Sequence, residues 1–114
     1  MKKLLLILFV MATVSIFGQL SPEAESIKLL GPEIFEKIQF KAVIDSDNDF
    51  TETTKIINEQ CNAIGRIGEL SEDIPEDVLF VIMERNTAEI KNEYYTDFVK
   101  VAKELENYID KKVI

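Results

Sequence analysis

The sequence lacks several side chains on which the commonest catalytic and metal sites depend. It has no histidine, no tryptophan and a single cysteine, Cys61, in 114 residues. Histidine is the usual base for activating a hydroxyl or thiol and a frequent transition-metal ligand, so its absence argues against both kinds of site. One cysteine cannot form a disulfide within the chain. We therefore expect hydrophobic packing to stabilise the fold, and we expect no enzyme activity, no cofactor and no metal.

Glycine and proline are also scarce, with four and three residues respectively, and neither occurs after Pro75. Gly65 and Gly68 stand alone, so the chain has no glycine-rich loop of the kind that binds phosphate groups. Basic residues are scattered without interleaved aromatic ones, and the net charge is −8. Since nucleic acid attracts basic surfaces, we expect no nucleic-acid partner.

The amino terminus carries a long apolar run. Two lysines precede residues 4–17, which are fourteen residues without a charge. A positive start, an apolar stretch and small residues at its end are typical of a cleaved secretory signal. A spanning helix needs about 20 residues, so a retained anchor is the weaker interpretation. We expect a signal peptide at 1–18, cut after Gly18 or alternatively after Ser15. The protein would then be periplasmic or secreted, without membrane contact after cleavage.

The remaining residues, 19–114, are enough for a single domain. Apolar residues at helical spacing predict an all-α fold, either a small antiparallel bundle or an irregular array of about four segments. Residues 38–44 partly alternate like a strand, which is the lesser interpretation there. Residues 78–83 are apolar throughout, and periodicity cannot separate a buried strand from a buried helix, although the flanking charges favour a helix.

Several short patterns predict where the helices begin and end. Ser21 before a proline is typical of a helix start. Gly65 and Gly68 are plausible ends for the helix that begins near residue 50. Asn86 and Glu89 have the spacing of a capping box, which predicts that the last helix begins there. Apolar residues then recur every three or four positions, namely Ile90, Tyr94, Phe98, Val101, Leu105 and Ile109.

The negative charge is concentrated in the middle of the chain. Residues 42–77 contain ten acidic side chains and only two basic ones, Lys55 and Arg66. Within this segment five acids occur without an intervening base, and we call them the acidic cluster: Glu69, Glu72, Asp73, Glu76 and Asp77. A solvated helix start is the simpler explanation of such a cluster. As a binding site, it would attract a basic protein partner.

Three other groups of residues suggest alternative sites. Asp45, Asp47 and Asp49 have the spacing that opens a calcium loop, but Phe50 and Ile56 stand where that loop needs a glycine and a bidentate acid. Any cation site would therefore be weak. Cys61 shares an apolar helix face, which predicts a buried thiol rather than an exposed one that forms intermolecular disulfides. A cavity for a small apolar ligand would use four large side chains, Phe80, Met83, Tyr94 and Phe98.

The combination of small size, an export signal and missing catalytic groups favours a protein-binding module of the cell envelope. An adaptor, an inhibitor or an immunity-type protein would fit, with the acidic surface in 42–77 as its contact. A helical carrier of a small apolar ligand and a weak cation-binding protein are the alternative functions.

Overall fold

The structure, a computed structural model, describes the backbone of residues 20–113 and the side chains of residues 20–111. The predicted signal peptide lies outside the described residues. The described chain is mostly helical and contains five α-helices, one 3-10 turn and one hairpin. They follow in the order α1 (Pro22–Leu30), α2 (Pro32–Asp45), α3 (Phe50–Leu70), the 3-10 turn (Ser71–Asp73), α4 (Glu76–Arg85), β1 (Thr87–Ile90), β2 (Glu93–Thr96) and α5 (Phe98–Val113). A mainly α fold is confirmed, whereas the bundle arrangement stays a prediction.

Packing groups the chain into two compact units, one ending at Cys61 and the other beginning at Asn62. The division falls inside the continuous helix α3. Domain boundaries usually fall in exposed linkers where few contacts cross, so this division is not a boundary of that kind. The single domain over residues 19–114 therefore stays a prediction.

The first unit begins at the helix start that the sequence predicts. The Ser21 hydroxyl accepts a hydrogen bond from the Ala24 amide at 3.2 Å, and proline occupies the first position of α1. The Ser21 amide also donates to the Asn58 side chain at 2.8 Å. Gly31 then separates α1 from α2, and residues 38–44 are helical, so the lesser interpretation as a strand is wrong.

Helix α2 buries a face that differs from the apolar stripe read from the sequence. Phe35, Ile38 and Ala42 are buried as their spacing indicates, but Gln39 is buried with them. Its side-chain oxygen has no hydrogen-bond partner among the described residues. Ile34, which precedes Ile38 by four residues and so lies on the same side of the helix, is instead 48% exposed. The burial of Gln39 is therefore decided by how α2 packs, and not by the polar character of its side chain.

Helix α3 does not end at either of its glycines. It continues through Gly65 and Gly68 to Leu70, so the prediction of an earlier end is wrong. Neither glycine has a positive φ, and a glycine inside a helix costs only about 1 kcal/mol, less than the packing of one buried side chain returns. Beyond Gly68, the Ser71 hydroxyl donates to the Gly68 carbonyl at 3.0 Å where the chain enters the 3-10 turn.

We expect Gly68→Ala to raise the free energy of unfolding by about 0.5–1 kcal/mol. The position is helical, and a Cβ added there meets no atom within 4 Å. Alanine therefore restricts the unfolded chain without a clash in the folded one. Urea denaturation followed by circular dichroism measures the change. A lower stability would mean that α3 does not extend past Gly68 in solution.

The predicted start of the last helix at Asn86 is wrong, because residues 87–96 form a hairpin. Thr87 pairs with Thr96 and Ile90 with Glu93, in antiparallel register. The two turn residues, Lys91 and Asn92, have φ values of 52° and 68°. Such left-handed values at both positions allow the two-residue turn that matches the twist of a hairpin. The last helix, α5, begins only at Phe98.

The core of the second unit brings together α3, α4 and α5. Val101 and Leu105 of α5 are completely buried, as their spacing predicts. They form one cluster with three other buried residues, Leu70, Ile74 and Ile82. Half-buried Ile109 and Tyr108 pack against this cluster. Helix α4 contributes Ile82 to this core. The rotation of α4 about its own axis, which places Ile82 inward, also decides which of the other α4 side chains face the solvent.

Candidate functional site

The structure separates one member of the acidic cluster from the other four. Glu69 lies on the last turns of α3, where its carboxylate accepts from Arg66 at 3.1 Å. Arg66 also donates to Glu106 of α5 at 3.0 Å. These hydrogen bonds, first that to Glu106 and then that to Glu69, raise the pKa of Arg66. Glu69 is therefore the member of the acidic cluster that forms an ion pair with another described side chain.

The other four acids surround the start of α4, and we call them the acidic turn: Glu72, Asp73, Glu76 and Asp77. The first two belong to the 3-10 turn and the last two to the first turn of α4. All four are exposed, and no ion pair between side chains of residues 20–111 involves them. Acidic residues favour a helix amino terminus because its free amides carry partial positive charge. Their negative charge is nevertheless available at the surface.

Directly after the acidic turn, α4 exposes apolar side chains. Phe80 is 66% exposed and Val81 is 54% exposed, whereas their neighbour Ile82 is buried. A helix can direct only one side towards a core, and α4 is apolar on every side through residues 78–83. The sequence therefore indicates a buried element, and only the structure shows that one apolar side of it faces solvent.

A groove runs along this exposed side, between α4 and α5. It has a volume of about 300 Å³ and is open to solvent. We call it the α4 groove, and it is lined by Asp77, Val78, Val81, Ile82, Arg85 and Tyr108. The lining residues of α4 span about 12 Å at the helical rise of about 1.5 Å per residue. Asp77, which belongs to the acidic turn, lies at one end of the groove, and Arg85 lies at the other.

The Arg85 end of the groove is held by a polar network with Glu104 of α5. Arg85 donates to one oxygen of this carboxylate at 2.6 Å, and the Asn86 side chain donates to the other. These contacts, with the Asn86 hydrogen bond first, lower the pKa of Glu104. The network links α4 to α5 and pairs the charge of Arg85 with that of Glu104.

The lowered pKa of Glu104 predicts a pH-dependent contribution to stability. The folded protein favours the charged form, so the contribution is complete above the ordinary pKa of about 4.5 and is lost as pH falls through the lower folded value. We expect Glu104→Gln to be less stable than the parent protein at pH 7, with a difference that shrinks below pH 4.5. Urea denaturation at several pH values measures it. A difference that is constant down to pH 3 would contradict the network.

Two of the three aspartates that suggested a cation site have other partners in the structure. Asp45 accepts from Lys41 at 2.9 Å, and Asp49 accepts from the Glu52 amide at 3.1 Å as the cap of α3. Asp47 and Asn48 form the turn between them, with positive φ values. In the part of the chain that the structure describes, no three His, Cys, Asp or Glu side chains are grouped so that they could hold a metal ion.

The four side chains considered for an apolar ligand do not share an enclosed site. Phe80 is 66% exposed and Tyr94 is 63% exposed, so neither is buried around an internal cavity. Met83 packs against the core cluster of the second unit. Tyr94 and Tyr95 alternate along β2, with Tyr95 buried and donating to the Glu93 carboxylate at 2.9 Å. Alternation along a strand, rather than a helix, directs only one of the tyrosines inward.

Comparison of the chain with protein-family models, with curated proteins and with solved structures gave no match. Among the residues that the structure describes, no helix combines the length and the apolar character that crossing a membrane requires.

Proposed function

We propose that this protein is a protein-binding module of the cell envelope that captures a basic partner through the acidic turn. The observation that carries the proposal is the position of four exposed carboxylates, which form no ion pair with the described side chains, directly beside the exposed apolar side of α4. Export to the envelope rests on the apolar run at residues 4–17. The missing histidine and the single buried cysteine favour binding over catalysis.

The two parts of this surface would contribute differently to binding. Clustered charge attracts an oppositely charged protein over several ångströms, so it mainly speeds association and selects the partner. Apolar surface contributes affinity when the complex removes it from water. An exposed apolar patch rimmed by polar residues is typical of a protein interface. Glu72 and Asp73 would therefore steer the encounter, and Phe80 and Val81 would slow dissociation.

Reversing the charge of the acidic turn tests the proposal. We expect a variant with lysine at all four of its positions to lose capture of the basic partner from an envelope extract at about 0.15 M salt. Quantitative mass spectrometry of the captured proteins measures the loss against the parent protein. A control variant places four lysines at other exposed acidic positions, so that its net charge changes equally: Glu25, Glu36, Glu59 and Glu89.

The control variant should retain capture, because its substitutions lie outside the acidic turn. Equal loss in both variants would assign the effect to net charge, and full capture by the acidic-turn variant would remove the proposed site. Circular dichroism of each variant establishes that it is folded. Either of these two results would overturn the proposed function.

A further inference from the structure

We infer that the α4 groove receives a row of apolar side chains from a basic amphipathic helix of the partner. This inference rests on the proposed function and specifies how its partner is recognised. The acidic turn alone would bind any cationic protein, so the groove is the part of the surface that can select among them.

The shape of the groove fits a helix better than an extended chain or a small molecule. Its α4 wall consists of Val78, Val81, Ile82 and Arg85, which recur at intervals of three and four residues. Tyr108 of α5 forms the opposite wall. A largely apolar groove between two helices is a surface into which a third helix can lay residues spaced by three, four and seven. The length of about 12 Å corresponds to roughly two turns of such a helix.

Charge identifies the occupant as a basic protein and not a second copy of this chain. Asp77 lines the groove, and the rest of the acidic turn lies beyond it. Arg85 at the opposite end is already paired with Glu104 at 2.6 Å. Four exposed carboxylates therefore lie at or beyond one end of the groove, and the chain as a whole carries a charge of −8. A second copy would bring like charge to this surface, whereas lysines or arginines flanking an apolar row would complement it.

The openness of the groove excludes the alternative use as an enclosed ligand pocket. Its volume of about 300 Å³ lies at the low end for sites that bind small molecules, which bury most of the ligand surface. Val81, on its wall, is 54% exposed even though it is apolar. Side chains that project from a partner helix can cover Val81 while the backbone of that helix stays outside the groove.

Two synthetic helical peptides test the inference. Both carry the same lysines, and one has leucines at positions spaced by three, four and seven, which are glutamines in the other. Fluorescence anisotropy of dye-labelled peptides at about 0.15 M salt measures their dissociation constants for the purified protein. We expect the leucine peptide to bind at least about tenfold more tightly, because only its side chains can lose water contact in the groove.

Single substitutions locate the effect in the protein. We expect Val81→Gln to weaken the leucine peptide about fivefold and to leave the glutamine peptide unchanged, since one groove side chain contributes on the order of 1 kcal/mol. Leu30→Gln is the matched control, because Leu30 is an apolar helix residue that is 86% exposed and lies in the other unit. Leu30→Gln should bind both peptides as the parent protein does.

The outcomes separate this inference from the proposed function. If both peptides bind with the same affinity, and both lose binding when the charges of the acidic turn are reversed, the charge-based capture stands. The inference about the α4 groove is then overturned. If reversal of the acidic turn changes neither peptide, the proposed function fails as well. A leucine peptide that shows no binding at millimolar concentration, or that binds Val81→Gln as well as the parent protein, also overturns the groove.

Discussion

In urea titrations, we expect Leu105→Ala to lower the free energy of unfolding by about 3 kcal/mol. Leu105 is completely buried and belongs to the core cluster in which α5 meets α3 and α4. Truncation removes its apolar area from the core and leaves a cavity that neighbouring side chains refill only in part. Since small domains are stable by about 5–15 kcal/mol, the loss is a large share of the total. Circular dichroism at 222 nm follows the transition.

The matched control for this prediction is Leu30→Ala on α1. Leu30 is 86% exposed, so the same change in side chain removes little buried area. We expect it to alter the free energy of unfolding by less than about 0.5 kcal/mol. Equal losses for the two variants would show that α5 does not pack through Leu105. The comparison therefore measures how much Leu105 contributes to packing in the core of the second unit. Helix propensity contributes little to the difference, because leucine and alanine have similar helix propensities.

The second prediction with a large expected effect concerns the slow reaction of the buried Cys61 thiol. At pH 8, a disulfide reagent such as dithionitrobenzoate should react with the native protein at least about 100-fold more slowly than with the urea-unfolded protein. The thiol is completely buried, and burial raises its pKa to about 11. Only a very small fraction is therefore thiolate, which is the reactive form, and the reagent reaches it only when the chain opens.

The release of thionitrobenzoate is followed by absorbance, and Cys61→Ser provides the blank. A native rate close to the unfolded rate would place the thiol at the surface. It would also restore the interpretation of Cys61 as the site of an intermolecular disulfide, which requires exposure. The observed burial instead agrees with the prediction from its apolar helix face.

Local chemistry was sufficient to predict several parts of this fold. Ser21 caps α1, because this short polar side chain precedes a helical pattern and can reach free amides. Val101 and Leu105 are buried because their spacing keeps them on one side of a helix that has charged residues on the other. These features depend on residues within a few positions of one another.

The hairpin at residues 87–96 shows where the same reasoning fails. Ile90 and Tyr94 are four residues apart, a spacing that a helix requires and that a strand also permits. The capping-box pattern of Asn86 and Glu89 then favoured a helix. Lys91 and Asn92 in left-handed conformations reverse the chain instead, and the Asp97 amide donates to the Asn86 carbonyl at 2.9 Å to close the hairpin. Neither Lys91 nor Asn92 predicts this turn as strongly as a glycine would.

The candidate site divides in the same way between sequence and structure. The acidic cluster was visible in the sequence, but only the structure shows that the Glu69 carboxylate pairs with Arg66, which lies one helical turn away. The α4 groove was not visible, because six consecutive apolar residues do not reveal which of them face solvent. Tyr108, which completes the groove, is distant in sequence and reaches it only because α5 packs beside α4.

By itself, the sequence determined the helical character of the chain, its excess of negative charge and the absence of histidine chemistry. These properties follow from composition and from spacing within a turn or two of helix. Only the tertiary structure decided that α4 turns Ile82 inward and leaves Phe80 and Val81 outside. Which side of an apolar helix is buried depends on the shape of the core it meets, and that shape is set by residues far away in the chain.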